Sequence, residues 1–242
     1  MRYAALAIPA LILASCGHVE SGAAESSPNG SRSFALSDFD QVALRGSDDV
    51  NVMTGKAFAV SATGPQASLD QLEIVVEDGV LKIGRKSGSS WHIGWSRNSD
   101  KSVKVMVTMP VIRGAKLSGS GDMTVDHATA DAFLASLAGS GNLNVGNVQA
   151  KVVKLNLAGS GDLMIGGRTR LVDISSAGSG DVTAKALDAE TAEISLAGSG
   201  NASVRATGSA SVSLVGSGDV QITGTSQCKT SKLGSGSVTC TI

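Results

Sequence analysis

A four-residue phrase returns seven times in this sequence. Gly-Ser-Gly followed by Asp, Asn or Ser begins at Gly119, Gly139, Gly159, Gly178, Gly198, Gly216 and Gly234, at intervals of 20, 20, 19, 20, 18 and 18 residues. A near-constant period is typical of repeat proteins, in which each unit buries its apolar face by stacking on its neighbours. The phrase therefore constrains the fold strongly and the activity weakly.

Apolar and polar residues alternate on both sides of the phrase. In the third repeat, Val153, Leu155 and Leu157 precede it at every second position, and Leu163 and Ile165 follow it in the same way. This period of two indicates half-buried β-strands. An α-helix is disfavoured, because each glycine would cost about 1 kcal/mol in a helix interior and helical apolar spacing is about 3.6 residues.

Each repeat is predicted to contain a strand, a Gly-rich turn, a second strand and a looser second turn. A unit of 18–20 residues suits one coil of a β-solenoid, in which equivalent inward positions form columns along the stack. Glycine permits positive φ in the turn and leaves both of its sides small, so that coils can stack closely. The Asp or Asn that ends the phrase can accept hydrogen bonds from nearby backbone N–H groups.

Composition agrees with such a core. Aromatic residues make up only 3% of the chain, which suits columns of Val, Leu, Ile and Ala rather than large rings. The formal net charge is −1 and the sequence shows no basic cluster, so nucleic acid is not an expected partner.

Residues 1–15 are predicted to be a signal peptide, with Cys16 as a lipidation site. The apolar run that ends at Ala14 is shorter than the about 20 residues that span a bilayer. Leu13-Ala14-Ser15-Cys16 resembles a bacterial lipobox, in which the cysteine is diacylated and becomes the mature N-terminus. An ordinary signal peptide with an incidental cysteine is the alternative. The next residue is Gly rather than the Asp of an inner-membrane retention signal, which predicts an outer-membrane lipoprotein in a Gram-negative cell.

The rest of the chain is predicted to divide into a tether and one folded domain. Residues 16–33 are rich in Gly, Ser, Ala and Glu, as is typical of a flexible tether. The folded domain covers 34–242, with an irregular β cap over 34–110 and regular coils over 111–242.

Within the cap, two short segments carry specific turn signals. Gly46-Ser47-Asp48-Asp49 is interpreted as a degenerate first copy of the phrase, since apolar residues flank it at the same spacing. Asp78-Gly79 lies between two strand-like runs and is predicted to form a hairpin turn.

The order of several blocks resembles the head GIN domain family of auto-transporter adhesins. These blocks are Phe39-Asp40-Gln41-Val42 with Gly46-Ser47-Asp48-Asp49-Val50, Glu77-Asp78-Gly79-Val80-Leu81-Lys82-Ile83, Thr108-Met109-Pro110 and the Gly-Ser-Gly-Asp repeats. The resemblance runs from Phe34 to the end of the sequence and implies a right-handed β-helix-like head in the cell envelope. It implies little chemistry, and the sequence is short for a full auto-transporter.

A column of Asp and Asn residues ends the phrases. Its members are Asp122, Asn142, Asp162, Asp181, Asn201 and Asp219, with Ser237 last. Turn capping is favoured, because only Asp162 and Asp181 are acidic neighbours and the intervening Asn residues limit repulsion between coils about 4.8 Å apart. Calcium binding, as in β-rolls with Gly-x-Asp turns, is the alternative, although the second turn of each coil lacks a matching motif.

Cys228 and Cys240 both fall on inward positions of the last repeat. They are expected to meet where the coil closes, and export to an oxidising compartment favours a disulfide. Closing a loop of about 13 residues would contribute on the order of 3 kcal/mol against fraying of the terminal coil. Two free buried thiols are the alternative, and zinc is not expected because no His lies nearby in the sequence.

Both Trp residues lie in the segment Trp91-His92-Ile93-Gly94-Trp95. An exposed aromatic loop could stack on a sugar or insert into a membrane surface, which makes Trp91 and Trp95 candidate ligand contacts. The alternation of Trp91, Ile93 and Trp95 also fits a strand that packs its apolar side on the cap, and this interpretation is favoured.

Catalytic motifs are not evident. No histidine lies near a Ser or Cys in a nucleophile motif. Several basic residues are scattered and are interpreted as solvated side chains: Lys104, Lys154, Arg168, Arg170 and Lys185. No catalytic residue, cofactor or metal is predicted.

The expected protein is an all-β, right-handed β-helix-like solenoid that is not an enzyme and is held at the membrane by the lipid on Cys16. Its expected role is adhesion or scaffolding in the envelope, with a polysaccharide or a protein as partner. The alternative is a carbohydrate-binding or carbohydrate-active envelope protein that uses Trp91 and Trp95.

Overall fold

Parallel β-strands stack coil upon coil in the computed structural model of this chain. The structure describes residues 29–86 and 102–242. Strands account for 74% of the described residues and helix for 3%, and the strands form a β-solenoid of about six turns. The prediction of an all-β solenoid is therefore confirmed.

Five strands of 15–18 residues, β9 to β13, lie in the chain between shorter strands of four to seven residues. In order, the elements are β1 (Asn29–Phe34), β2 (Gln41–Gly46), β3 (Asp49–Thr54), β4 (Ala59–Pro65), α1 (Gln66–Gln71), β5 (Leu72–Glu77), β6 (Val80–Arg85), β7 (Lys104–Met109), β8 (Gly114–Gly119), β9 (Asp122–Gly139), β10 (Asn142–Gly159), β11 (Asp162–Gly178), β12 (Val182–Gly198), β13 (Ala202–Gly216), β14 (Val220–Thr223), β15 (Cys228–Leu233) and β16 (Val238–Thr241). From β9 to β13, each strand runs from one phrase to the next and forms almost a whole coil.

Neighbouring coils pair in parallel register, so that equivalent side chains form columns. Leu155 aligns with Ala135 on one side and with Ile174 on the other, and all three are fully buried. Burying an aliphatic side chain of this size stabilises the fold by about 2 kcal/mol. The columns predicted from the alternation are thus the hydrophobic core.

Two bends, rather than one loose turn, separate successive phrases. In β10 the alternation of buried and exposed residues is interrupted at 146–147 and again at 150–152. The pairing of β10 with β11 also shifts register between Val145 and Val148. The short stretch between the bends, residues 147–151 in β10 and its counterparts in the other coils, is called here the middle side. Sheet pairing continues through it, which corrects the predicted second turn.

The first regular layers lie within the predicted cap. β2 pairs with β8, and β3 pairs with the start of β9. Gly46 aligns with Gly119 and has a φ of +128°. The segment from Gly46 is therefore confirmed as a degenerate copy of the phrase. β6 and β7 pair in parallel with the other edges of β2 and β3 and form a further layer. The spatial order of these layers differs from their order in the chain.

Antiparallel strands cover this end of the stack. β4 pairs with β7, β1 pairs with β4, and β5 forms a hairpin with β6. The hairpin turns at Asp78 and Gly79, with φ of 52° and 73°, as predicted. The tether predicted over 16–33 is wrong at its end, because β1 begins at Asn29 and gains its backbone hydrogen bonds by pairing with β4.

The other end of the stack is formed by β15 and β16, which pair with β13 and β14. A disulfide joins Cys228 to Cys240, whose Cα atoms are 6.6 Å apart, and this confirms the predicted pairing. Both cysteines are partly buried against the core rather than enclosed within it.

The helix α1 follows Pro65 and has six residues. No helix in the described part of the chain is long and apolar enough to cross a membrane.

Candidate functional site

The turn formed by each Gly-Ser-Gly phrase is called here the phrase corner. It repeats the same backbone contacts from coil to coil. The carbonyl oxygen of Gly139 accepts hydrogen bonds from the N–H groups of Ser160 and Gly161, at 2.9 and 3.0 Å. The same pair of bonds is accepted by Gly46, Gly119, Gly159, Gly178 and Gly198. The corner is therefore a continuous ladder of paired backbone bonds.

Close stacking requires both glycines of the phrase. Gly159 has a φ of +128°, a region that residues with a Cβ rarely adopt. A Cβ at Gly159 would lie 2.3 Å from the carbonyl oxygen of Gly139. A Cβ at Gly161 would lie 2.1 Å from the carbonyl oxygen of Gly141, although the φ of Gly161 is not positive. The recurrence of the phrase thus follows from backbone approach and needs no ligand.

The first copy of the phrase carries Asp48 where later copies carry the second glycine. Its side chain is fully buried and extends away from the following coil. The Asp48 carboxylate accepts a hydrogen bond from the N–H of Val103 at 2.8 Å and pairs with the guanidinium of Arg85. These contacts link the first phrase to the β6–β7 layer.

The Asp and Asn column is a second ladder at this corner. The Oδ1 atom of Asp181 accepts from the backbone N–H of Asn201 at 2.8 Å and from its side-chain amide at 3.0 Å. Asp162 accepts from the backbone N–H of Asp181 at 3.2 Å, and Asp122 and Asn201 bond to the next coil likewise. These bonds confirm turn capping. In the described residues, no cluster of three or more His, Cys, Asp or Glu is placed to hold a metal ion.

Asp219 ends this ladder with the strongest set of contacts. Its Oδ1 atom accepts from the Ser237 hydroxyl at 2.7 Å and from the Ser237 N–H at 2.9 Å. Because both bonds favour the ionised carboxylate, they hold the pKa of Asp219 below its ordinary value of 3.8. The last coil is therefore tied to its neighbour by a charge-assisted contact.

A shallow groove of about 910 Å³ runs along the middle sides of four coils. We call it the middle-side groove. Its first rim consists of Gln149, Arg168, Asp188 and Arg205, which align in register from β10 to β13. Its second rim lies two residues further along each strand and consists of Lys151, Arg170, Glu190 and Thr207. The floor between the rims contains Ala150, Thr169 and Ala189.

Two of the four cations of the groove are neutralised by ion pairs. Arg205 Nε lies 2.7 Å from Asp188 Oδ1, and Lys151 Nζ lies 2.8 Å from Asp131 Oδ1. The hydrogen bond and the charge of Lys151 hold the pKa of Asp131 below its ordinary value. These exposed pairs contribute little to stability, since surface ion pairs are typically worth about 0–1 kcal/mol.

Arg168 and Arg170 are different, because neither has an ion pair or side-chain hydrogen bond with any described residue. They lie on the same strand on either side of Thr169, which is 4% exposed. Both guanidinium groups therefore project to solvent from one face of the strand, with Cα atoms about 7 Å apart. The interpretation of these two arginines as solvated side chains is confirmed, and the structure adds that both lie in one groove.

Varying spacing in the chain hides this groove in the sequence. The first-rim residues follow their phrases by ten, nine, ten and seven positions, so that they do not form a column when the phrases are aligned. The register shifts at the bends bring them into line in the sheet. The signal in the sequence is the pair Arg168 and Arg170, two positions apart between the third and fourth phrases, and it does not show which outward residues lie beside them.

His127, the only histidine in the described part of the chain, forms a dyad with Asp126. The Nδ1 atom of His127 lies 3.1 Å from Asp126 Oδ2. Asp126 also accepts from the Thr54 N–H at 3.1 Å, and the Thr54 hydroxyl donates to the His127 carbonyl at 2.9 Å. Because the hydroxyl is engaged with the backbone, the arrangement links β3 to β9 rather than assembling a nucleophile.

The remaining predicted sites, Cys16, Trp91 and Trp95, lie outside the described residues. Their lipidation and ligand contact stay predictions.

Comparison with known proteins identifies similar families and folds. A family model described as "Putative auto-transporter adhesin, head GIN domain" matches residues 38–226. A "putative adhesin" from Bacteroides fragilis has a TM-score of 0.79 and 21% identity, covering 90% of this chain and 98% of that one. A "putative lipid binding protein" from Parabacteroides distasonis has a TM-score of 0.66 and 25% identity, covering 88% and 96%. A comparison with curated proteins gives no match.

Proposed function

The chain belongs to the auto-transporter adhesin head GIN domain family, and from this premise we propose that it is a non-enzymatic, lipid-anchored envelope protein. In this proposal, the solenoid presents its outer surface for adhesion or scaffolding. Membership of an adhesin family supports a place in the cell envelope or at the cell surface. The lipobox-like sequence that ends at Cys16 supports attachment through a lipid at an outer membrane.

The observation that carries the proposal is the regular outer face that precedes the phrase corner. One row of aligned polar side chains consists of Ser136, Asn156, Ser175, Ser195 and Ser213, and a parallel row consists of Ala138, Ala158, Ala177, Ala197 and Val215. The two rows border a shallow trough of about 410 Å³. A broad, regular face with hydroxyl and amide groups about 4.8 Å apart suits repeated weak contacts with an extended partner.

Lipid anchoring is tested by expressing the full chain in a Gram-negative host with labelled palmitate. The chain should be labelled and found in the outer-membrane fraction. The matched control is Cys16→Ser, which should lose label and membrane retention. Unchanged processing and retention of Cys16→Ser would contradict the anchor.

Adhesion is tested with the same cells. Cells that carry the chain should adhere to glass coated with envelope polysaccharide more than cells with an empty vector. Equal adherence would contradict the proposed role. Release of new reducing ends from the polysaccharide by the purified chain would contradict the non-enzymatic part.

A further inference from the structure

We infer that the middle-side groove binds a negatively charged polysaccharide, with Arg168 and Arg170 as its main contacts for acidic groups. This inference rests on the proposed adhesive function and names a site and a ligand class for it. The residues of this site differ from Trp91 and Trp95, whose ligand contact stays a prediction.

The shape of the groove fits a short stretch of a linear polymer. Its lining residues come from four successive coils, which at a strand spacing of about 4.8 Å extend over about 14 Å. The floor is low because its residues are small, and Thr169 and Ala189 are 4% and 1% exposed. The rims on both sides carry long side chains. A polymer that runs along the stack would contact equivalent positions on each coil.

The charges point to an acidic ligand. Four cationic and two anionic side chains of the described residues line the groove, and Asp131 pairs with Lys151 from outside the lining, so that together these groups have a net charge of +1 (four minus three), whereas the whole chain has −1. Asp188 is already paired with Arg205. Glu190 follows Arg170 on the next coil, yet no ion pair joins these two in the described structure. The guanidinium groups of Arg168 and Arg170 thus keep their donors free for carboxylate or phosphate, which they can bind with two parallel hydrogen bonds.

The other groups of the lining favour sugar over nucleic acid. Asn147 and Gln149 offer amide groups that can exchange hydrogen bonds with sugar hydroxyls, and the Thr207 hydroxyl, which donates to the Ala189 carbonyl at 3.2 Å, can accept one. None of the described residues that line the groove is aromatic, whereas proteins that bind single-stranded nucleic acid typically stack bases on aromatic rings.

Nothing in the fold requires arginine at these two positions. Both arginines are exposed and have no partner in the described structure, and Gln149 and Asp188 occupy the position of Arg168 on the adjacent coils. The same sheet pairing is therefore compatible with a neutral, an acidic or a basic residue.

The test measures binding of polygalacturonate to the full chain purified in detergent, by biolayer interferometry at low salt. The unmodified chain should bind polygalacturonate and not neutral dextran, and salt should weaken the binding. The double variant Arg168→Gln/Arg170→Gln should bind about 10- to 100-fold more weakly, as expected for loss of charge-assisted hydrogen bonds.

The matched control is Lys154→Gln/Lys185→Gln, which removes the same charge from exposed residues of the same region outside the groove lining. It should bind within about twofold of the unmodified chain. A second variant, Arg168→Lys/Arg170→Lys, keeps the charge but loses the planar fork, and it should bind with intermediate affinity.

Several outcomes would overturn the inference: no binding of polygalacturonate by the unmodified chain, equal losses in the Arg and Lys double variants, or equal binding of dextran. Tighter binding of an oligothymidylate would overturn the choice of polysaccharide. Because the assay uses the purified chain, its result does not depend on anchoring of the chain to a membrane through Cys16. If cells that produce the Arg168→Gln/Arg170→Gln variant still adhere, the proposed adhesive function is retained and only this site is rejected.

Discussion

The phrase corner and the middle side of the same coils follow opposite rules. At the corner, each coil repeats the residues and the backbone contacts of the coil before it, as at Gly139 and Gly159. On the middle side, the pairing shifts register, and the residue at the first-rim position differs in each coil: Gln149, Arg168, Asp188 and Arg205. One region is constrained by backbone packing, and the other tolerates any side chain that projects to solvent.

This difference shows which part of a repeat protein carries its specific chemistry. A corner glycine or an inward residue that recurs in every coil is explained by stacking, which every coil must achieve. A residue that occurs in only one or two coils is not required by stacking and is free to serve a ligand. Substitutions in the two regions test this division, because those at the corner should lower the free energy of unfolding more than those on the middle side.

The largest effect is expected at the corner, for Gly159→Ala. Strain at a φ reserved for glycine and overpacking against backbone each cost about 1–3 kcal/mol, so the free energy of unfolding should fall by about 3–5 kcal/mol. Urea denaturation followed by circular dichroism measures this. Ser160→Ala, at the exposed position between the two glycines, is the control and should be nearly neutral. Equal effects of both substitutions would break the proposed role of the corner.

The next effect concerns the disulfide of the last coil. Cys228→Ser/Cys240→Ser should lower the free energy of local opening of residues 227–242 by about 2–3 kcal/mol, since the bond closes a short loop. Hydrogen exchange should show faster exchange there and little change in the middle coils, because solenoid stability is largely a nearest-neighbour property. Equal protection in the variant and the parent would contradict this expectation.

The contact between Asp219 and Ser237 makes the same coil sensitive to acid. The pKa of Asp219 is lower in the folded chain than in the unfolded one, so its contribution is present above the unfolded pKa and is lost as pH falls. The loss should occur below about pH 4, the ordinary pKa of Asp. Carboxyl NMR titration should show that Ser237→Ala raises the pKa of Asp219. An unchanged pKa would show that the Ser237 hydroxyl is not the cause.

A smaller effect is expected for Asp162→Asn. Asn occupies the same position in two other coils, and it can accept from the same backbone donor. The stability should therefore change by no more than about 0.5 kcal/mol. Thermal melts with and without calcium measure the change. A large calcium-dependent shift in the parent that is absent from the variant would favour a metal site over turn capping.

The smallest effect on stability is expected on the middle side. Arg168→Gln/Arg170→Gln should alter the free energy of unfolding by less than about 0.5 kcal/mol, since neither arginine has a partner in the described structure. Urea denaturation of the same protein used for polysaccharide binding checks this. A loss of several kcal/mol would show that the middle side is under structural constraint after all.

Much of the repeat region could be predicted from its sequence, because its contacts are periodic. The alternation around Leu155 placed the inward columns correctly, and Gly46 was recognisable as a copy of the phrase from its flanking residues. The disulfide between Cys228 and Cys240 followed from their inward positions. Each of these features depends on residues at a fixed distance in the chain.

The layers at the N-terminal end could not be predicted in the same way. The β6–β7 layer stacks on β2 and β3, although both of its strands come later in the chain. Asp48, Arg85 and Val103 meet only because of this arrangement. The strand that begins at Asn29 was also missed, since a Gly- and Ser-rich segment carries little strand signal until an antiparallel partner such as β4 is present.

The period, the inward columns and the turn that closes each coil can be predicted from the amino-acid sequence, because they depend on local backbone geometry and on side-chain alternation. The grouping of outward residues on the middle side depends instead on how the coils pair in the folded chain. Arg168 and Arg170 share a groove with Lys151 and Arg205 because sheet pairing aligns coils whose bends take up different numbers of residues. Outward side chains of the middle side are not constrained by packing, so their grouping leaves no periodic pattern in the chain.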